Sequence, residues 1–129
     1  MSDEKKELPK YIVHRPKDFN PDVILVYLDT LDKHSINAEN DYDEVKDQVQ
    51  EVLDFVISEK VSNNNCSIAQ AKVQATNDER YKKVKALFRK QKAYYQLKKI
   101  EAKNGHSYCD NLKQQSINQL AIDKLTIKN

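Results

Sequence analysis

Residues with catalytic or metal-ligating potential are few and scattered in this chain. His106 and Cys109 lie three apart, close enough to share an ion from one helical face, but a tetrahedral site needs further donors and none stands near them in sequence. Asp41, Asp43, Glu44 and Asp47 form a carboxylate cluster, which a helix starting at Asn40 or Asp41 explains through its dipole alone. No phosphate-cradling glycine loop, nucleophile elbow or paired His and carboxylate motif occurs. The chain therefore reads as non-enzymatic, with neither metal nor cofactor. What remains is charge: from Glu79 to Tyr108 the sequence runs ERYKKVKALFRKQKAYYQLKKIEAKNGHSY, a basic segment threaded with aromatic rings.

On a helix, residues three and four apart share a face. Lys85, Arg89, Lys92, Lys99 and Lys103 keep that spacing with Gln96 in the gap, and Arg80, Lys82, Lys83, Lys90 and Lys98 thicken the stripe. Between Arg80 and Lys103 the only negative charge is Glu101. A helix made only for solubility mixes signs, because unlike charges four apart stabilise it and like charges destabilise it. Repeated acceptance of like charge suggests an anionic surface that neutralises it, and a phosphate backbone is the commonest. On that reading Arg80, Lys82, Lys83, Lys85, Arg89, Lys92, Lys99 and Lys103 contact single-stranded nucleic acid. Acidic protein, including the acidic half of this chain or of its neighbour, is a second candidate, and an idle solvated face is the third.

The rings divide differently. Tyr81, Phe88, Tyr94 and Tyr95 could stack bases beside the lysines. Yet Tyr81, Val84, Phe88 and Tyr95 follow a three-and-four spacing, which favours a packing seam over a binding face. Tyr42, Val45, Val49, Val52 and Val56 repeat the same interval upstream, as the seam of a coiled coil does. Both stripes are expected to pack against other helices, within the chain or in an oligomer.

The elements that must hold these residues follow from composition. With 129 residues the chain fits one domain, and with one glycine, three prolines and a third of its residues charged it lacks the chain-reversing residues of sheets and barrels. We expect an all-α, elongated helical hairpin or bundle with coiled-coil-like packing and an extended N-terminal arm over 1–19. The remainder, 20–129, is one helical domain: an acidic half at 20–60, a linker at 61–66 and a basic half at 67–129. Residues 1–60 hold 15 Asp and Glu against 8 Lys and Arg, whereas 61–129 hold 5 against 14, so the halves suit different partners.

Within the domain, Asn20 and Pro21 open a first helix that ends near Lys33 or His34, and a second runs from Asn40 or Asp41 to Lys60. A third spans Ser67 to Asn104, with Thr76–Glu79 either a break or an exposed turn. Asn104-Gly105 is read as a stop, followed by a fourth piece from His106 to Leu120. In the arm, Tyr11, Ile12 and Val13 can lie along a groove or add a short strand. Two unpaired cysteines, a charged start and the lack of a long apolar run predict a soluble cytoplasmic protein that does not enter membranes.

Residues 67–116, SIAQAKVQATNDERYKKVKALFRKQKAYYQLKKIEAKNGHSYCDNLKQQS, and the upstream DTLDKHS resemble small phage proteins that assist homologous recombination, typified by the recombination mediator of T-even phages. The shared pattern is an alanine-rich lead-in, a polar and acidic turn, a tyrosine, and a long helix with a central aromatic. The resemblance implies a helical, self-associating protein that binds single-stranded DNA and helps a recombinase load onto strands coated by a single-strand-binding protein, in the host cytoplasm if phage-encoded. It would give Arg80, Lys83, Arg89 and Lys92 the DNA role. Two departures stand out: Gly105 falls inside a helix that should continue, and VSNNNCS replaces the family's short tyrosine-and-glycine signature.

Overall fold

A computed structural model describes residues 13–128. Among these the chain forms three helices and no strand: α1 (Pro21–Asn64), α2 (Ile68–Thr76) and α3 (Glu79–Lys128). At 44 and 50 residues, α1 and α3 extend about 66 and 75 Å at 1.5 Å per residue. They lie antiparallel, so that Ile24 at the start of α1 meets Cys109 late in α3, while Glu59 near the end of α1 meets Arg80 at the start of α3. The fold is thus an all-α hairpin, with α2 packed chiefly on α1 near the closed end.

The start of α1 follows its capping chemistry. Asn20 Oδ1 accepts from the Asp22 and Val23 amides at 3.1 and 3.4 Å, and Pro21 occupies the first position, where a missing N–H costs nothing. The expected boundary between Lys33 and Asn40 does not exist: α1 is continuous to Asn64. Leu31, Ser35, Ala38, Tyr42 and Val45 keep the seam alternating through the supposed gap, each at least half-buried. Ser35 and Ala38 read as breaks because they are small and polar or weakly apolar, yet at a helix crossing small residues admit the partner backbone. Val56, wholly buried, anchors the far end of this seam, worth roughly 1.5–3 kcal/mol for a side chain of its size.

The linker is shorter than 61–66, because helix persists to Asn64 and the reversal occupies residues 65–67. Asn65 takes the left-handed conformation at φ 55°, which Asn tolerates better than most residues. Ser67 then opens α2 with a reciprocal capping box, its Oγ accepting from the Gln70 amide at 3.2 Å while the Ser67 amide donates to Gln70 Oε1 at 3.2 Å. The segment at 76–79 is a true break: Asn77 and Asp78 separate α2 from α3, and the Asp78 carboxylate accepts from the Arg80 amide at 2.9 Å.

The stop at Asn104-Gly105 is overturned: the third piece from Glu79 onward and the fourth piece form one helix running to Lys128. Gly105 is buried on the α1 side. A Cβ placed there falls on Leu31 Cδ1, closer than non-bonded atoms approach, and 3.5 Å from the Tyr27 ring. The chain's single glycine is a notch for a leucine, and the packing it permits outweighs the roughly 1 kcal/mol by which glycine disfavours a helix interior.

Residues 13–20 form a non-helical strap. Val13 and Phe19 pack on the cluster of Ile24, Tyr27, Leu31, Ala102 and Cys109. Tyr108 Oη donates to the Pro16 carbonyl at 2.6 Å, and the Arg15 guanidinium sits 5.0 Å above the Tyr108 ring. The expectation for Tyr11 and Ile12 falls outside the described residues; Val13 lies against the hairpin and not in a strand.

Candidate nucleic-acid interface

The seam residues fix which way the basic residues of α3 point. Tyr81, Val84, Phe88 and Tyr95 are half-buried, and Ala102, Gly105 and Cys109 continue their stripe as buried positions. Facing them, Tyr42 meets Phe88 at a ring-centroid distance of 5.3 Å and Tyr95 at 5.5 Å. Val45 is buried and Val49 and Val52 are half-buried on the same face of α1. Both stripes therefore close on each other within one chain, and the rings are spent on packing.

The basic residues separate into three groups. Arg80 is engaged by carboxylates: its Nη1 and Nη2 lie 2.8 and 3.1 Å from the two oxygens of Glu59, and its Nε and Nη2 each 3.0 Å from Asp78. The guanidinium also lies 5.7 Å over the Phe55 ring, and Lys60 Nζ stands 3.7 Å from Asp78. Hydrogen bonds from Arg80 hold the Asp78 carboxyl far below the usual carboxylate range and lower that of Glu59. Arg80 is a latch that fastens the α2–α3 corner to α1, and not the open phosphate contact expected of it.

Lys85 and Lys98 form the second group, turned toward α1. Lys85 is half-buried, its Nζ 4.8 Å over the Phe88 ring. Lys98 has a side chain only 8 % exposed, with Nζ 3.1 Å from Glu101 Oε2 and 5.4 Å over the Tyr94 ring. A lysine at a seam position is rare, and by sequence Lys98 counts only among the residues that thicken the basic stripe. Its burial removes it from any surface role.

The third group, Lys82, Lys83, Arg89, Lys90, Lys92, Lys99 and Lys103, is exposed along the outer side of α3. Lys82 reaches Glu79 at 3.9 Å; the others make no ion pair among the described residues. They span about 32 Å of helix. Across the hairpin, Asp41, Asp43, Glu44, Asp47, Glu51 and Asp54 are exposed on α1. The two long helices thus carry opposite charge on their outer sides, separated by the apolar seam.

Sequence reasoning missed a layer of polar groups that flanks the seam near the open end of the hairpin. His34 faces Lys98 and Glu101, and burial beside the Lys98 charge pushes its imidazole below the ordinary value of 6.5, only partly offset by Glu101. Elsewhere along the same pair of helices, His106 Nε2 lies 3.0 Å from Asp32 Oδ1. The spacing of 32 and 34 against 98, 101 and 106 gives no sign of this layer before the antiparallel register is known. An unfolded His34 takes up a proton below about pH 6.5 and the folded one only at lower pH, so protons favour the unfolded chain. We expect thermal stability to fall as pH drops below 6.5, and a His34→Asn variant to flatten that part of the profile in melts followed by circular dichroism. An unchanged pH slope in the variant contradicts the assignment.

His106 and Cys109 do not gather a third donor, and among the described residues no group of three His, Cys, Asp or Glu side chains could hold a metal ion. Cys109 is buried, and burial raises its thiol. Among the described residues no helix is long and apolar enough to cross a membrane. No protein-family model, no curated protein and no solved structure matches the chain.

Proposed function

We propose that this protein is a non-enzymatic accessory factor that binds single-stranded nucleic acid along the outer side of α3, as a mediator of recombination would. The observation that carries the reading is the set of exposed cations Lys83, Arg89, Lys90, Lys92, Lys99 and Lys103, unpaired among the described residues and spread over the outer half of α3. Such a row loses stability to self-repulsion unless a polyanion neutralises it. The resemblance of residues 67–116 to phage recombination mediators supports the same reading, with a recombinase as a further partner. Aromatic stacking contributes little, because Tyr81, Phe88 and Tyr95 face α1, so binding is electrostatic and tolerant of sequence.

The test is a titration of a short single strand at several salt concentrations. Four to seven phosphate contacts give a slope of log K against log salt of about −3 to −5, at roughly 0.7 per contact. No binding at low salt would sink the proposal.

One observation favours a rival reading, in which the basic helix docks on acidic protein as part of a virion or assembly. The exposed carboxylates of α1, Asp41 through Asp54, form a row complementary to the cations of α3, so neighbouring copies can stack side by side. Light scattering without nucleic acid separates the two: particles that dissolve as salt rises support the rival.

A further inference from the structure

The hairpin is not closed at both ends. Ile24 in the first turn of α1 lies level with Cys109, and Leu112 packs on the same cluster. Beyond Ser116 no other element among the described residues accompanies α3, and every residue from Ile117 to Ile127 is exposed. This overhang is about 18 Å long. A helix of this length without tertiary contact is marginal in water, because packing of an apolar face supplies most helical stability.

Its composition does not suit water. Residues 114–127 carry only two charges, Asp123 and Lys124, of opposite sign, in a chain otherwise rich in charge. Ile117, Leu120, Leu125 and Ile127 are 48, 58, 65 and 84 % exposed, and together with Ala121 they fall within one half of the helix circumference. Leu120 and Ile127 continue the stripe of Ala102, Cys109, Leu112 and Ser116 that faces α1. The seam is therefore prolonged past the helix that covers it. The polar side chains bond along the helix, Gln114 to Asn118 and Gln119 to Asp123, both at 3.0 Å, and border the stripe on either side.

We infer that the overhang is covered by the overhang of a second copy, lying antiparallel in the lane beyond the start of α1. The occupant must be a helix of similar length with an apolar stripe at the same interval, approaching antiparallel as α1 does. Among the described residues the overhang itself has that form, and a two-fold axis near Ala121 makes it self-complementary. Four large aliphatic side chains at on the order of 100 Å² each, with their flanks, bury roughly 1,000 Å² over both copies, the lower bound for a specific interface. The product is a closed, reversible dimer with its two hairpins pointing apart and a dissociation constant on the order of micromolar. It differs from the side-by-side stacking above in using no charge, and it stands whether or not nucleic acid binds.

Sedimentation velocity across about 1 to 100 μM tests it. We expect a monomer–dimer equilibrium insensitive to salt, and at least a tenfold weaker dimer for Leu120→Asp/Ile127→Asp. Because neither residue touches the hairpin, the main thermal transition of that variant should match the parent, and Leu97→Asp, exposed on the middle of α3, should leave the dimer intact. In a Cys66→Ser background, Ala121→Cys should oxidise to a covalent dimer, the thiols meeting near the axis. A chain monomeric throughout the range, a Leu120→Asp/Ile127→Asp variant that still dimerises as the parent does, or a ladder of growing species in place of a closed dimer overturns the inference.

Discussion

Replacing Lys83, Arg89 and Lys92 together by Glu is expected to weaken single-strand binding by roughly 10²–10³-fold near 50 mM salt and to reduce the salt slope by about 2. Both figures follow from losing three phosphate contacts, each contributing about 0.7 to the slope. These side chains are exposed and make no ion pair among the described residues, so the loss should come without a change in helicity. Lys85→Gln, at a half-buried position beside Phe88, should alter affinity far less than Lys92→Gln. If the triple reversal binds as the parent does, the basic side of α3 is not the interface. Arg80 supplies the internal contrast. Arg80→Ala removes the latch on Glu59 and Asp78, so we expect faster amide hydrogen exchange in α2 with a small change in affinity, the reverse of the Lys92 pattern. The Asp78 carboxyl, held low by Arg80, loses its charge only as pH falls through that depressed value, so the latch should persist through mild acid.

Gly105→Val is expected to destabilise the hairpin by about 3 kcal/mol, the scale of overpacking a close-fitted helix contact. For a chain of this size that lowers the melting temperature by roughly 10 °C. The sign depends on a competition. Glycine disfavours a helix by about 1 kcal/mol relative to alanine, so a free helical surface would gain from its replacement. Here the added carbons fall where Leu31 Cδ1 already sits, and the displaced leucine disturbs Tyr27 and the strap beside it. Gly105→Ala, with one carbon and better propensity, should lose much less than Gly105→Val. Leu31→Ala should empty the space, so the double variant should be more stable than the sum of its parts by about 1 kcal/mol or more. A Gly105→Val protein as stable as the parent contradicts the notch.

The same glycine explains where sequence reading fell short. Turn chemistry is local, and Asn104-Gly105 carries a strong local signal; what overrides it is a leucine seventy-four positions away. His34 to Asn40 misled for the same reason, since Ser35 and Ala38 are seam positions only once α3 lies beside them. The class of fold, the cap at Asn20 and the two apolar stripes depend on near neighbours or on periodicity, and these were legible. The exposed cationic side of α3 was legible in its charge and not in its membership. Spacing alone could not tell Lys99, which faces solvent, from Lys98, buried against Glu101, because adjacent residues are 100° apart and the position of the seam decides between them.

The antiparallel pairing of α1 and α3 has an electrical consequence. Two long helices of opposite sense cancel their macrodipoles along the rod, leaving the side chains to set the field. With carboxylates along the outer edge of α1 and cations along that of α3, the molecule is polarised across its width. A strand held on the cationic edge would be coated by molecules that all turn their carboxylates outward. Seen from solution, such a filament keeps the sign of the bare polyanion while its phosphates are hidden, and a second layer of the same protein finds a surface of the right charge to settle on.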